Sequence, residues 1–137
     1  MEIKTITTYH FVKTEDLNHH GTLYAGRTAE WFVEAGLIAT SLYIPAENIV
    51  CLKIHGMSFT RPVHLGEVTR FIARVVYTGK TRLLANVQMC VNEEEVLIGF
   101  ITFVNVDRQG QAFPHGVVIE AATPEEIALQ GQAKELH

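Results

Sequence analysis

The sequence predicts an α+β domain in which one long helix is covered by an antiparallel sheet. Three observations carry this expectation. β-Branched and aromatic residues dominate residues 3–13 and again the stretch from 49 to 106. A helical period occupies residues 23–42 between them. The apolar runs after residue 49 are separated only by short turn-prone segments, R-P-V-H-L-G, T-G-K and N-E-E-E.

Residues 3–13 (I-K-T-I-T-T-Y-H-F-V-K) read as a first strand, and residues 14–22 form a polar loop. From Leu23 to Leu42, Ala25, Ala29, Phe32, Val33, Gly36, Leu37 and Thr40 fall on one stripe at three- and four-residue spacing. The small residues on that stripe allow close approach to a sheet. Pro45 marks where the helix has ended. Ile49–Phe59 reads as a second strand, with Gly56 as a bulge or bend. Turns at 61–66, 78–80 and 92–95 separate further strands at Glu67–Tyr77, Thr81–Val91 and Val96–Val106. Tight turns predict that these four strands form an antiparallel meander. Residues 124–133 read as a short helix, with Thr123 as N-cap, Pro124 in its first position and acids in its first turn.

The length of 137 residues suits a single domain over 1–137 with one core. A hydrophobic content of 47% and a mean hydropathy of +0.13 are high for so short a chain, which predicts further burial at a subunit interface. The net charge of −4 gives no support to nucleic-acid binding. Cys51 and Cys90 lie in apolar β-like runs and read as buried, reduced thiols. No Cys-x-x-Cys pair points to a metal, and no apolar run is long enough to span a membrane. The N-terminus lacks the apolar core of a signal peptide, so a cytoplasmic location is expected.

Chemistry concentrates where the first loop enters the helix. Asp16, Asn18, His19, His20 and Gly21 lie immediately before it. A helix N-terminus presents free N–H groups and partial positive charge, which suits a polarised carbonyl or an anion.

Three blocks, in matching order and spacing, resemble the acyl-CoA hydrolase branch of the hotdog-fold acyl-CoA thioesterases over about residues 8–106. The first is Asp16-Leu-Asn18-His-His-Gly21-Thr-Leu-Tyr-Ala-Gly26, similar to D-x-N-x-x-G-x-x-F-G-G. The second is the following helix through Glu34-Ala-Gly36. The third is His55-Gly-Met-Ser-Phe-Thr-Arg61-Pro-Val-His-Leu-Gly66, similar to G-M-x-F-x-R/K-P-x-x-x-G. The resemblance implies a five-stranded sheet wrapped around one long central helix, and dimers with a sheet continuous across two subunits. It implies an active site at that interface, an apolar acyl tunnel, and hydrolysis of acyl-CoA without metal or bound cofactor. The chain departs from the branch at Tyr24-Ala25-Gly26. It departs again at Val33, where the branch carries its catalytic Asp.

Thioester hydrolysis needs an activated water or nucleophilic carboxylate, and donors for the developing oxyanion. Gly26 and the N–H groups of residues 25–28 suit the donors. Asp16 is a base, nucleophile or orienter of Asn18, or else a turn residue bonding its own backbone. Asn18 can hold the water or the thioester oxygen. Glu34, beside the apolar stripe, is a base if partly buried; otherwise it sits on a solvated face or pairs with Arg27. Glu30 is a weaker carboxylate candidate one turn earlier. His19 and His20, on an extended loop, would point opposite ways, so at most one faces the site. His20 and Thr22 are taken as substrate contacts. Arg61, Lys80 and Arg82 are solvated charges or contacts for CoA phosphates, which Arg and Lys bind well. The expected partners are acyl-CoA and further copies of the chain, as a dimer, tetramer or hexamer. A non-catalytic acyl-CoA or lipid-binding module is the alternative function, motivated by Val33.

Overall fold

The computed structural model describes residues 1–136. Five antiparallel strands form one sheet: β1 (Thr5–Phe11), β2 (Ile49–Ile54), β3 (Val68–Thr78), β4 (Arg82–Val91) and β5 (Glu94–Asn105). Helix α1 (Ala25–Ser41) lies across one face and helix α2 (Pro124–Lys134) covers part of the other. Neither helix is long and apolar enough to cross a membrane.

The strand order is β1-β3-β4-β5-β2. Only β3, β4 and β5 form a meander, so the expected four-strand meander is corrected. β2 leaves α1 at the far side of the sheet and pairs with β5, Ile54 opposite Ile101. It ends at Ile54 because the chain bends away at Gly56, which has φ 81°. The residues after it are a crossing segment, not a tight turn. That segment passes under the β4–β5 hairpin, where Thr60 N–H donates to Val96 O at 3.1 Å, and meets the first loop at the His64–Thr22 bridge. The β4–β5 turn is tighter than N-E-E-E suggests, and Asn92 takes the left-handed conformation it needs at φ 56°.

α1 has 17 residues and starts two residues later than the helical period suggests. The N–H groups of Leu23 and Tyr24 are taken by Val63 O and Asp16 O, so these residues belong to the loop. The buried face of α1 is also rotated from the expected stripe. Thr28, Trp31, Phe32, Ala35, Gly36, Ala39 and Thr40 are buried, whereas Ala25 and Leu37 are exposed and Val33 is half-buried. Trp31 draws the face toward β1 by stacking flat on His10, ring centroids 4.2 Å apart. Opposite it, a Cβ on Gly36 would stand 3.0 Å from Ile101 and 3.2 Å from Phe103, so the small residue allows close contact with β5. Phe71, Ala73, Val75, Leu83, Val87 and Met89 complete this core from the strands. On the outer face Leu129 and Ala133 of α2 cover Val76 and Leu84. The predicted cap of α2 is present: Thr123 Oγ1 accepts the Glu126 N–H at 3.1 Å, and Glu126 accepts the Thr123 N–H at 3.2 Å.

Cys90 is buried as expected, but Cys51 is exposed, on the edge strand β2. Burial of part of its surface still raises the Cys51 thiol pKa.

Candidate active site

The loop before α1 folds on itself through Asn18. Its Oδ1 accepts the N–H of His20 at 2.9 Å and of Thr22 at 3.2 Å, and its Nδ2 donates to Thr22 Oγ1 at 3.1 Å. Asn18 N–H donates to Thr22 O at 2.7 Å, and Gly21 supplies the φ of 80° that the turn requires. The turn brings the two imidazoles together, 4.0 Å between centroids, so His19 and His20 do not point opposite ways. Both are exposed.

A groove of about 410 Å³ opens beside this loop. Asn18, Thr22, Ala25 and Thr28 line one side, and Phe59, Thr60, Arg61, Pro62 and Val63 the other. Three separated parts of the sequence therefore meet: the loop, the first turn of α1 and the crossing segment. The Leu23 N–H to Val63 O bond, 2.8 Å, joins them.

The N-terminus of α1 faces this groove without a side-chain cap. Tyr24 O accepts the N–H groups of Arg27 and Thr28 at 3.0 and 3.1 Å, whereas those of Ala25 and Gly26 make no bond among the described residues. They are the free donors that a helix start leaves, in its most positive region. The Tyr24 ring lies over Gly26, where any Cβ would collide with it.

The structure brings Asn18, Thr22 and Arg61 to the groove and leaves Gly26 next to its Ala25 wall. Arg61 is already committed. It donates to Glu67 at 3.2 and 3.3 Å, to Glu94 at 3.1 Å and to Pro62 O at 2.8 Å. The hydrogen bonds it donates to Glu67 raise its pKa further. Burial works to raise the Glu67 pKa, but the His64 N–H and Arg61 outweigh it and hold the carboxyl below its ordinary value. Arg61 is thus a strut of the groove wall.

The other predicted residues lie elsewhere. Asp16 is buried, with Arg27 Nε 3.2 Å from its Oδ1. Arg27 pairs with Asp16 and Glu30, not with Glu34. Glu34 is exposed on the β1 flank of α1, near enough to His10 to act on its charge. Val33 packs against the main core. Lys80 and Arg82 sit at the β3–β4 turn, at the far end of strands roughly 30 Å long. No residue lining the groove carries a carboxylate. Sequence reasoning missed Phe59, Thr28 and Thr60 as lining residues and Arg27 as the partner of Asp16. The Phe and Thr of the crossing segment stand inside one of the quoted blocks, which was the available signal.

Chemically, the groove offers an amide, hydroxyls, a neutralised guanidinium and main-chain donors around an apolar floor. This suits a polar acyl carbonyl with a chain attached. Among the described residues no group of three or more His, Cys, Asp or Glu could hold a metal.

The fold is shared with solved thioesterase structures. An acyl-CoA hydrolase from Bacillus cereus superposes with TM-score 0.87 at 22% identity, over 95% of this chain and 82% of that one. An acyl-CoA hydrolase from Staphylococcus aureus, solved with butyryl coenzyme A and coenzyme A, gives 0.84 at 20%, over 96% and 82%. A hexameric hotdog-fold thioesterase of Campylobacter jejuni gives 0.71 at 22%, over 90% and 94%. Among curated proteins nothing matches. Residues 20–98, which run from the loop through the α1 start and crossing segment into β5, match the family model of the thioesterase superfamily, and the chain belongs to that family.

Proposed function

We propose that this protein hydrolyses acyl-CoA thioesters to free acid and CoA. One observation carries the reading: the uncapped start of α1, with free N–H groups at Ala25 and Gly26, stands beside Asn18 on one groove. These donors suit the oxygen that gains charge when water attacks the thioester carbonyl. Asn18 Nδ2 uses one hydrogen on Thr22, leaving its second for water or the carbonyl. Thr22 lines the groove, His20 is exposed on the same loop outside it, and CoA is substrate, not resident cofactor.

The working unit in this reading is a dimer through β2. Val50, Leu52 and Ile54 are 45%, 51% and 39% exposed on a strand whose outer edge is unpaired. Such an edge calls for a partner. A two-fold axis through it pairs β2 antiparallel with its copy. The axis reverses strand direction, so the 80–82 turn, at the opposite end of the sheet from the groove, lies at the same end of the joined sheet as the partner's groove. This supports Lys80 and Arg82 as contacts for CoA phosphates across the interface, a role for which Arg61, held by two carboxylates, is poorly suited. The hexameric relatives support higher assembly of such dimers.

Glu34 and Asp16 stay the candidate bases in this reading although neither lines the groove of one protomer, and Glu34 is the one without an ion pair among the described residues. The test uses purified protein, a panel of acyl-CoAs and a thiol-detecting dye. CoA release for at least one chain length is expected, and none above background for any chain sinks the proposal. Glu34→Gln should then lower kcat by about a hundredfold, the usual range for a general base.

A second reading, an acyl-CoA or lipid-binding module without hydrolysis, is favoured by the groove's lack of carboxylates and by Val33. It wins if wild type binds acyl-CoA without turnover and Val33→Asp creates turnover.

A further inference from the structure

Asp16 is 3% exposed, although the loop around it is polar and open. Its Oδ2 accepts the Lys13 N–H at 2.9 Å, with Lys13 Nζ 3.8 Å away. Its Oδ1 meets Arg27 Nε at 3.2 Å, and its main-chain carbonyl accepts the Tyr24 N–H at 2.9 Å. Arg27 belongs to the first turn of α1, and the outer end of its guanidinium reaches Glu30 at 3.5 Å. One carboxylate therefore joins the beginning of the loop to the beginning of the helix. Asn18 and Thr22 lie between these two ties, and their own bonds close the remainder. A buried carboxylate held by a guanidinium and an N–H is costly to unpair, so it does not swing into the groove.

We infer that Asp16 and Arg27 are a positioning pair, which fixes the Asn18 amide relative to the N–H groups of Ala25 and Gly26 without either touching substrate. The inference rests on the hydrolytic reading of the groove and removes Asp16 from the choice of base. Small displacements between oriented groups are expensive in rate. A lysine in place of Arg27 keeps the charge but loses the fork that spans Asp16 and Glu30.

Steady-state kinetics of wild type, Asp16→Asn, Arg27→Gln, Arg27→Lys and the Asp16→Asn/Arg27→Gln double variant test the pair. Amide hydrogen exchange at Asn18 and Tyr24 is measured alongside. Arg27→Gln should lower kcat about tenfold with KM changed less than about twofold, as loss of orientation predicts. Arg27→Lys should recover part of that loss. The double variant should be no worse than the worse single one, because both break one tie. Exchange at Tyr24 should quicken in Arg27→Gln. An Arg27→Gln enzyme within twofold of wild type, beside an Asp16→Asn enzyme that is dead, would overturn the inference and make Asp16 act on the reacting atoms. Unchanged exchange at Tyr24 would overturn it too. If wild type releases no CoA, the proposed function fails, while the exchange rates still decide the pair. If Arg27→Gln does not fold, Arg27→Lys carries the same comparison.

Discussion

His10 joins the strand layer to the start of α1. Its ring stacks on Trp31, meets Phe71 edge-on at 5.9 Å, and leaves Nε2 buried without a partner. Burial lowers its pKa from 6.5, and Glu34 opposes that shift in part. His55, bonded to Thr102 at 2.6 Å, is lowered for the same first reason, with Lys53 adding to it. A depressed histidine pKa means that the unfolded chain binds the proton more tightly. Stability is therefore full above pH 6.5 and falls as pH drops below it. His10→Gln should flatten part of that fall. Melting temperatures at pH 7.5 and 5.0 check this, and an equal drop in wild type and variant would contradict it.

At the scale of elements, close packing of α1 and β2 against β5 defines the groove end of the sheet. A Cβ on Gly99 would stand 2.9 Å from the Gly56 carbonyl oxygen and 3.1 Å from Phe32. Backbone cannot rotate aside, so Gly99→Ala should cost about 1–3 kcal/mol. Gly36→Ala meets only side-chain ends, the nearest at 3.0 Å. Its strain is offset by about 1 kcal/mol of helix propensity, so its change should be near zero. Thr123→Ala should cost about 1 kcal/mol by removing the cap of α2. Urea unfolding of the three variants checks the order; Gly36→Ala as damaging as Gly99→Ala would refute the packing account.

At the scale of the whole molecule, the proposed dimer makes β2 the seam of assembly. Leu52 is 51% exposed on the edge strand. Leu52→Glu places two like charges near a two-fold axis, which disfavours pairing. Light scattering after size exclusion should show a lighter species than wild type, and CoA release should fall with it if, as proposed, the groove works only in the dimer. An unchanged mass would place the interface elsewhere.

Period and turn chemistry, both local, were enough to reveal the helices, five strands and most boundaries within two residues. The exception is β2, read to Phe59 where it ends at Ile54. The Thr123 cap was legible because its bonds span only three residues. The loop–helix junction was legible because Asp16, Asn18, Gly21 and the helix start are neighbours in the chain. The place of β2 was not, because a segment that carries strand-like residues through a crossing looks the same as a hairpin until its long-range partners are known. For the same reason, Phe59 and Thr60 in the groove, Arg61 as a strut, and the exposed Cys51 emerged only from the fold. So did the direction of the helix face, since a wheel gives the angle between Val33 and Glu34 but not which strand lies beneath. The sequence by itself determined the elements, the junction and the family likeness, since those rest on neighbours in the chain. Tertiary structure alone decided strand order, which carboxylate is buried against Arg27 and which stays open, since those depend on contacts between residues far apart in the chain.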